Sequence, residues 1–147
     1  MKRWKDYQQV VVVYGGRDFG NRKVLFKKMY KFHAKYDFDF IVAGGADGVD
    51  KLAIEWAKDA GLPFKEEPAD WSNLDVKPCL VKTGKYGPYN ALAGLARNQS
   101  MLDKFKPKYA IQFPGGTGTE DMRKRVCIKM AFGLLDKHIT VRKRDGK

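Results

Sequence analysis

The chain has 147 residues, 44% of them hydrophobic and 13% aromatic, which supports one domain with a sizeable core and excludes two ordinary domains. No apolar run reaches the ~18 residues of a membrane span and the N-terminus lacks the apolar stretch of a signal peptide, so we expect a cytoplasmic protein. The 29 Lys and Arg against 17 Asp and Glu give a net charge of +12, which favours phosphate-bearing partners but locates no site.

The first half of the chain predicts two strand–helix units. Residues 9–14 ("QVVVVY") form a β-branched run typical of a buried strand, and apolar side chains recur every three or four positions across residues 21–36, which indicates an amphipathic helix. Residues 38–43 predict a second strand. The apolar face of residues 49–60 predicts a second helix, with Asp47 as its expected N-cap.

The second half continues the alternation. The poorly patterned residues 72–90 are long enough to indicate a lid or an ordered binding loop. The remaining predicted elements are strands at residues 64–67, 109–113 and 138–141 and helices at residues 92–105 and 120–135. This order predicts a doubly wound α/β domain, with a mainly parallel sheet of about five strands and helices on both faces. We expect the single domain to span residues 1–147, with its core at about 9–142.

Four short motifs directly follow predicted strands: "GGRDF", "GGADG", "PADW" and "FPGGTGT". Because the carboxyl ends of parallel strands share one edge of a sheet, these motifs should meet at the ligand crevice. Glycines there let bare backbone approach a phosphate, and the helix that follows adds the positive end of its dipole. The candidate ligand residues of the motifs are Gly15, Gly16, Arg17, Asp18, Gly44, Gly45, Ala46, Asp50, Asp70, Trp71, Pro114, Gly115, Gly116, Thr117, Gly118 and Thr119. Alternatively, the glycines only make tight turns.

Several of these side chains have a structural alternative to a ligand role. Arg17 suits a bidentate contact with phosphate or carboxylate, or pairs with Asp18 at the surface. Asp50 accepts from a ribose hydroxyl, or caps the second helix. Trp71 stacks on a base, or packs against the protein.

Two further features belong to the predicted helices. Arg97 and Asn98 stand near the start of the third helix, where a buried core would not place them, so both are candidate ligand residues and we favour a site role for Arg97. Thr117 and Glu120 have the spacing of a capping box at the start of the fourth helix.

The sequence lacks the motifs of several common sites. Neither GxxxxGK[ST] nor GxGxxG occurs, which disfavours a P-loop NTPase and a standard dinucleotide enzyme. Cys79 and Cys127 stand far apart, and His33 and His138 lack metal-ligand spacing. We therefore expect reduced thiols, no metal site and no required cofactor.

The motifs "GGRDF", "GGADGVDKLAIEWA", "PADW", "AGLARNQSML" and "FPGGTGTEDM", in this order, resemble the SLOG superfamily, which is named for the Smf/DprA and Lonely Guy proteins. The match is to its YspA-related group, once classed as a domain of unknown function, and it spans residues 10–135. The resemblance implies a Rossmann-like sheet, a nucleotide-type ligand over the strand ends, and a homodimer or higher homo-oligomer. Relatives are common in bacteria and phages, so a phage-encoded chain would work in the host cytoplasm.

The resemblance also bears on catalysis. Lonely Guy phosphoribohydrolases cleave the base–ribose bond of nucleoside monophosphates with an arginine and the glutamate that closes a PGGxGTxxE motif. Arg97 matches that arginine, whereas Met122 stands at the glutamate position. A methionine neither stabilises a cationic sugar nor moves a proton, which disfavours hydrolysis and leaves binding untouched. If the chain is an enzyme, its catalytic candidates are Arg97, Asp121 and Glu120.

The leading hypothesis is a sensor or sequestering protein that binds a nucleotide or an ADP-ribose-like ligand through its glycine-rich phosphate loops. The first alternative is a Lonely Guy-like nucleoside-monophosphate phosphoribohydrolase or a related N-glycosidic hydrolase. The second is a DNA-binding or DNA-processing accessory protein, which the charge of +12 suggests, although solvated helix faces explain the same charge more simply.

Overall fold

The computed structural model describes residues 6–75 and 79–143. Its strands are β1 (Val10–Tyr14), β2 (Phe40–Gly44), β3 (Phe64–Glu67), β4 (Val81–Gly84), β5 (Gly87–Asn90), β6 (Tyr109–Gln112) and β7 (Lys137–Thr140). Its helices are α1 (Arg22–Tyr36), α2 (Val49–Asp59), α3 (Ala93–Phe105) and α4 (Thr117–Ala131). Five parallel strands form one sheet in the order β3-β2-β1-β6-β7. The predicted Rossmann-like α/β fold is confirmed.

Strand β1 is the centre of the sheet and the point at which strand order reverses. Val12 pairs with Val42 of β2 on one side and with Ala110 of β6 on the other. In open parallel sheets, such a switch point separates the loops that leave the two neighbouring strands and opens a crevice between them. The fold therefore places a crevice at the carboxyl end of β1.

Helices cover both faces of β1, which explains its unbroken run of valines. Successive strand residues point to opposite faces. Val11 packs in one buried cluster with Trp56 of α2, and residues of α1 join the same cluster. Val12 packs in a second cluster with Met122 of α4, which also holds residues of α3. A strand that is buried on both faces needs apolar side chains at every position.

Most predicted elements agree with the structure to within two residues at each end, and the fourth helix is the exception. It begins at Thr117 rather than residue 120 and ends at Ala131 rather than residue 135. The predicted capping box is wrong, because the N-cap is Gly116, which has no side chain, and Glu120 pairs with Arg123. The glycine loop thus enters the helix directly. Within the described residues, no helix has both the length and the apolar character needed to cross a membrane.

The start of α2 also differs from the prediction. Its N-cap is Gly48, which has a φ of 75°, and not Asp47. Gly48 passes so close to the Gly16 carbonyl oxygen that a Cβ at this position would overlap it. Asp47 instead forms a surface ion pair with Lys51 at 3.0 Å. A glycine is required here because the first two glycine loops touch each other.

Residues 72–90, predicted as a poorly patterned connection, contain a hairpin. Strands β4 and β5 pair antiparallel, with Val81 opposite Asn90, and β5 begins after the turn at Gly87, which has a φ of 107°. Residues 76–78 of the predicted lid lie outside the described residues. The role of this segment as a lid stays a prediction.

Candidate functional site

A cavity of about 500 Å³ opens at the carboxyl end of β1, between α3 and the loops that follow β1, β2 and β6. We refer to it as the first cavity. It brings together most of the residues that the sequence analysis selected from the four motifs and from the predicted third helix. The selected residues that line it are Gly15, Gly16, Arg17, Asp18, Ala46, Asp50, Trp71, Arg97, Asn98, Gly116, Thr117, Gly118 and Thr119.

Five selected residues do not line the first cavity. Gly44 lies beneath it, and Gly45 packs so close to Pro68 that a Cβ there would lie 2.8 Å from the proline Cβ. Asp70 is exposed and accepts a hydrogen bond from the Ser72 hydroxyl at 2.9 Å. The other two, Pro114 and Gly115, line a second cavity on the far side of the same loops.

The floor of the first cavity is bare backbone from two loops in direct contact. The Gly16 N–H donates to the Pro114 carbonyl at 2.9 Å. A Cβ on Gly16 would lie 2.8 Å from Gly115 Cα, which is shorter than real Cβ contacts. The close approach of the "GGRDF" and "FPGGTGT" loops therefore requires glycine on both sides.

The first turn of α4 faces this floor. No atom lies within 4 Å of a Cβ built on Gly116 or Gly118, and the N-cap provides no side-chain acceptor for the N–H groups of the turn. Thr117 is exposed, whereas Thr119 is buried with its hydroxyl against Gly115. Open N–H groups at the positive end of a helix suit an anion.

Arg97 and Asp50 lie side by side over Gly44. A Cβ on Gly44 would overlap Arg97 Nη1 and lie 2.7 Å from Asp50 Oδ2, so only glycine leaves room for both side chains. Burial raises the pKa of Asp50 to about 6, although Arg97 and the Ala46 N–H, which donates at 3.2 Å, oppose the rise. Burial lowers the pKa of Arg97, and Asp50 opposes that change. The cavity thus holds a buried carboxyl with a pKa of about 6 beside the half-buried guanidinium of Arg97.

Asn98 holds Arg97 in place and joins α3 to α4. Its Nδ2 donates to the Gly118 carbonyl at 3.3 Å and to Asp121 Oδ2 at 3.1 Å. Its Oδ1 accepts from Arg97 Nε at 3.3 Å, and Arg97 Nη1 donates to the Glu67 carbonyl at 3.3 Å. These two hydrogen bonds, from Nε and Nη1, orient the guanidinium toward the cavity without a ligand.

Trp71 forms part of the cavity wall with 37% of its surface exposed. The guanidinium carbon of Arg17 lies 5.8 Å from the centroid of its ring, within the range of a cation–π contact. Its indole lies so close to α3 that a Cβ on Gly94 would be 3.1 Å from it. The exposed ring surface offers a stacking platform for a planar group.

The sequence analysis missed the residue that seats Trp71. Asn90 is fully buried, and its N–H donates to the Trp71 carbonyl at 2.7 Å. Its Oδ1 accepts from the N–H groups of Leu80 and Leu92 at 3.2 and 3.0 Å, and its Nδ2 donates to the Asn73 carbonyl at 3.3 Å. One side chain thereby ties the two ends of the loop together. Its position in the unpatterned "GPYNA" gave no signal of this role.

Further cavity residues were not selected as ligand residues: Tyr14, Ala91, Gly94, Leu95, Met101 and Met122. The Tyr14 hydroxyl donates to Gln112 Oε1 at 3.2 Å and lies 2.8 Å from His138 Nε2. Burial raises the pKa of Tyr14 well above its usual value and lowers that of His138. The alternation of β1 could have identified Tyr14, because it shares a sheet face with Val12.

The catalytic candidates divide between the inside and the outside of the cavity. Arg97 lines it, but Glu120 and Asp121 do not. Glu120 pairs with Arg123, and Asp121 pairs with Arg125 at 2.8 Å. Met122 lines the cavity with 1% of its surface exposed. Within residues 6–75 and 79–143, no three His, Cys, Asp or Glu side chains are grouped so as to hold a metal ion.

Residues 9–73, from β1 through β3 to Trp71, match the YspA, cpYpsA-related SLOG family. Over these residues the chain is similar to that family. Among curated proteins, none matches the chain significantly. This similarity supports a nucleotide-related role in ligand binding or processing. The match covers the "GGRDF", "GGADG" and "PADW" loops. The fold brings α3 and the "FPGGTGT" loop, which lie outside the match, to the same cavity.

Proposed function

We propose that this protein binds a nucleotide or an ADP-ribose-like ligand in the first cavity and acts as a sensor or a sequestering protein. The observation that carries the proposal is the meeting of two glycine loops at a side-chain-free floor, where Gly16 and Gly116 adjoin Arg17. Such a floor lets phosphate oxygens reach backbone N–H groups, and the arginine supplies two parallel donors to the same group.

The remaining walls suit the rest of a nucleotide. Trp71 presents ring surface for stacking on a base. The carboxylate of Asp50 lines the same cavity and would accept hydrogen bonds from the ribose hydroxyls. Met122 at the inner wall adds apolar surface and no charge. These features support recognition of a phosphorylated nucleoside without requiring any bond to break.

Isothermal titration calorimetry against nucleoside mono-, di- and triphosphates, cyclic nucleotides and ADP-ribose tests the proposal. We expect at least one ligand with a Kd well below about 1 mM. Arg17→Ala should weaken binding at least tenfold, since a charged hydrogen bond contributes about 1.5 to 3 kcal/mol. Gly116→Val should weaken it as well by placing a side chain where the phosphate would lie.

Arg22→Ala is the matched control, because it removes the same charge from a residue that pairs with Glu55 at 3.5 Å and does not line the first cavity. It should leave the affinity unchanged. Binding no tighter than millimolar across the whole panel would refute the proposal. Unchanged affinity in both Arg17→Ala and Gly116→Val would refute this location of the site.

A second function, N-glycosidic hydrolysis, is favoured by one observation that the sequence did not offer. Asp50 has a pKa of about 6 and lies inside the cavity beside Arg97, whereas Glu120 and Asp121 do not line it. A protonated carboxyl there has the acidity to give a proton to a departing base while water adds to the anomeric carbon. In this scheme Arg97 holds the phosphate.

Incubation with nucleoside monophosphates and NAD, followed by chromatography, tests this second function. Hydrolysis would release free base together with ribose phosphate or ADP-ribose, and Asp50→Asn would abolish the release. No free base from any substrate would exclude the hydrolase and leave the binding proposal intact.

A further inference from the structure

The second cavity also measures about 500 Å³ and lies against the start of α1 and the end of β7. Its own lining includes Phe19, Val24, Pro114, Gly115, Val141 and Lys143. It shares four wall residues with the first cavity: Gly16, Arg17, Asp18 and Gly116. The two cavities are therefore adjacent compartments on either side of one ridge.

The ridge combines the glycine backbone of Gly16 and Gly116 with the side chains of Arg17 and Asp18. Gly16 bonds to the Pro114 carbonyl, and a Cβ built on Gly116 would meet no atom within 4 Å. Arg17 lines both compartments, and its guanidinium lies 5.8 Å from the ring of Trp71 on the side of the first cavity. A short, doubly charged linker fits this surface better than a bulky group does.

The two compartments differ in chemistry. The first offers the exposed ring of Trp71 together with the buried Asp50 and Asn98 and the half-buried Arg97. The second offers apolar surface from Phe19 and other side chains, with a cationic rim at its outer end. Each has a volume within the roughly 300–1,000 Å³ of small-molecule sites, so neither depends on the other to hold a ligand group.

We propose that the natural ligand is bipartite: two nucleoside-sized or sugar-sized groups joined by a pyrophosphate, with one group in each cavity and the pyrophosphate across Gly16 and Gly116. This inference rests on the proposed function and narrows its ligand class. A mononucleotide would fill only the first cavity and leave the second cavity's contacts unused. A linked ligand adds those contacts without a second loss of translational freedom, which raises affinity.

Calorimetry with AMP, ADP-ribose and NAD tests the inference on the native chain and on Val24→Trp, which fills the second cavity from α1. We expect ADP-ribose or NAD to bind the native chain at least about tenfold more tightly than AMP. Val24→Trp should reduce that affinity to the level of AMP and leave AMP binding unchanged. Circular dichroism and a thermal melt establish that the variant is folded.

Lys143→Glu provides an independent variant with little effect on folding, because Lys143 is exposed at the rim of the second cavity. It should weaken the pyrophosphate ligands more than AMP. Lys137→Glu makes the same charge change at the exposed start of β7, at the end of the strand away from both cavities. It should not change the ratio of the affinities for AMP and the pyrophosphate ligands.

The outcomes separate the two proposals. Equal affinities for AMP and the pyrophosphate ligands, with no selective effect of Val24→Trp or Lys143→Glu, would overturn the bipartite ligand while the proposed function stands. Absence of binding by all three probes and by the wider nucleotide panel would overturn both.

Discussion

Acidification should strengthen binding of ADP-ribose, because Asp50 shares the first cavity with the ligand. With a pKa of about 6, its carboxyl is ionised at pH 7.5 and about nine-tenths protonated at pH 5. Ionised Asp50 offsets the charge of Arg97 and repels a phosphate. Arg97, Arg17 and the Ala46 N–H stabilise its ionised form, whereas burial and Glu66 disfavour it. Proton uptake by Asp50 should therefore accompany binding.

The expected effect follows from Coulomb's law. A negative charge ~6 Å from the carboxylate, at an effective dielectric constant of ~40 for an open cavity, repels it by about 1.4 kcal/mol. That repulsion raises the pKa of Asp50 further in the complex, so the complex binds a proton more readily than the free protein does. Affinity should then be about sevenfold higher at pH 5 than at pH 7.5.

Calorimetry with ADP-ribose at pH 5, 6 and 7.5 measures this dependence, since the pyrophosphate keeps its two negative charges throughout. Measurements in buffers of different ionisation enthalpy report the proton taken up. Asp50→Asn should bind with a nearly pH-independent affinity, and any remaining slope belongs to other groups such as His138. A slope of equal size in the native chain and Asp50→Asn, or tighter binding at pH 7.5, would refute the role of Asp50.

Three further predictions concern stability and the cavity floor. The native pKa of Asp50 lies above its unfolded value of 3.8, so its favourable contribution to the free energy of unfolding is complete below pH 3.8 and is lost as the pH rises to about 6. In chemical denaturation, the free energy of unfolding of Asp50→Asn should therefore increase by up to about 3 kcal/mol relative to that of the native chain as the pH rises over this range. Asn90→Ala should lower the free energy of unfolding by about 1 to 3 kcal/mol in urea titrations, because it strands buried backbone groups, and a smaller loss would contradict its anchoring role. Gly44→Ala should displace Arg97 and reduce the affinity for AMP at least about tenfold. Gly20→Ala, which lies in the second cavity where a Cβ meets nothing within 4 Å, should leave the affinity for AMP unchanged. Equal AMP affinities of Gly44→Ala and the native chain in calorimetry would show that the Arg97 position is unimportant.

The architecture was readable from the sequence because its signals are local. The valine run of β1 and the apolar periodicity of α1 each specify their own element, and alternation of elements then specifies a parallel sheet. The glycine motifs could be gathered at one edge for the same reason, since every parallel strand ends there. No knowledge of side-chain contacts was needed for these steps.

The parts that escaped prediction depend on contacts between distant residues. Asn90 acts on residues 73, 80 and 92, and nothing in its immediate neighbours marks it as an anchor. Asp50 was read as a helix cap or a ribose ligand, yet its pKa follows from burial beside Arg97, a residue of a different helix. Spacing along the chain cannot reveal such a pair, because it exists only once α2 and α3 meet at Gly44.

The parallel pairing of β1 with β6 has a consequence for the order of events during synthesis. Val11 leaves the ribosome early, but its partner Tyr109 follows only after most of the chain has been made. The loop after β1 therefore cannot make its contact with the loop after β6 until late in synthesis. The ridge between the cavities, which needs both loops, is among the last features of the fold to form. A ligand that needs both loops would bind only chains in which both loops have folded. By mass action it would stabilise that folded state and so reduce the unfolded population that proteases attack.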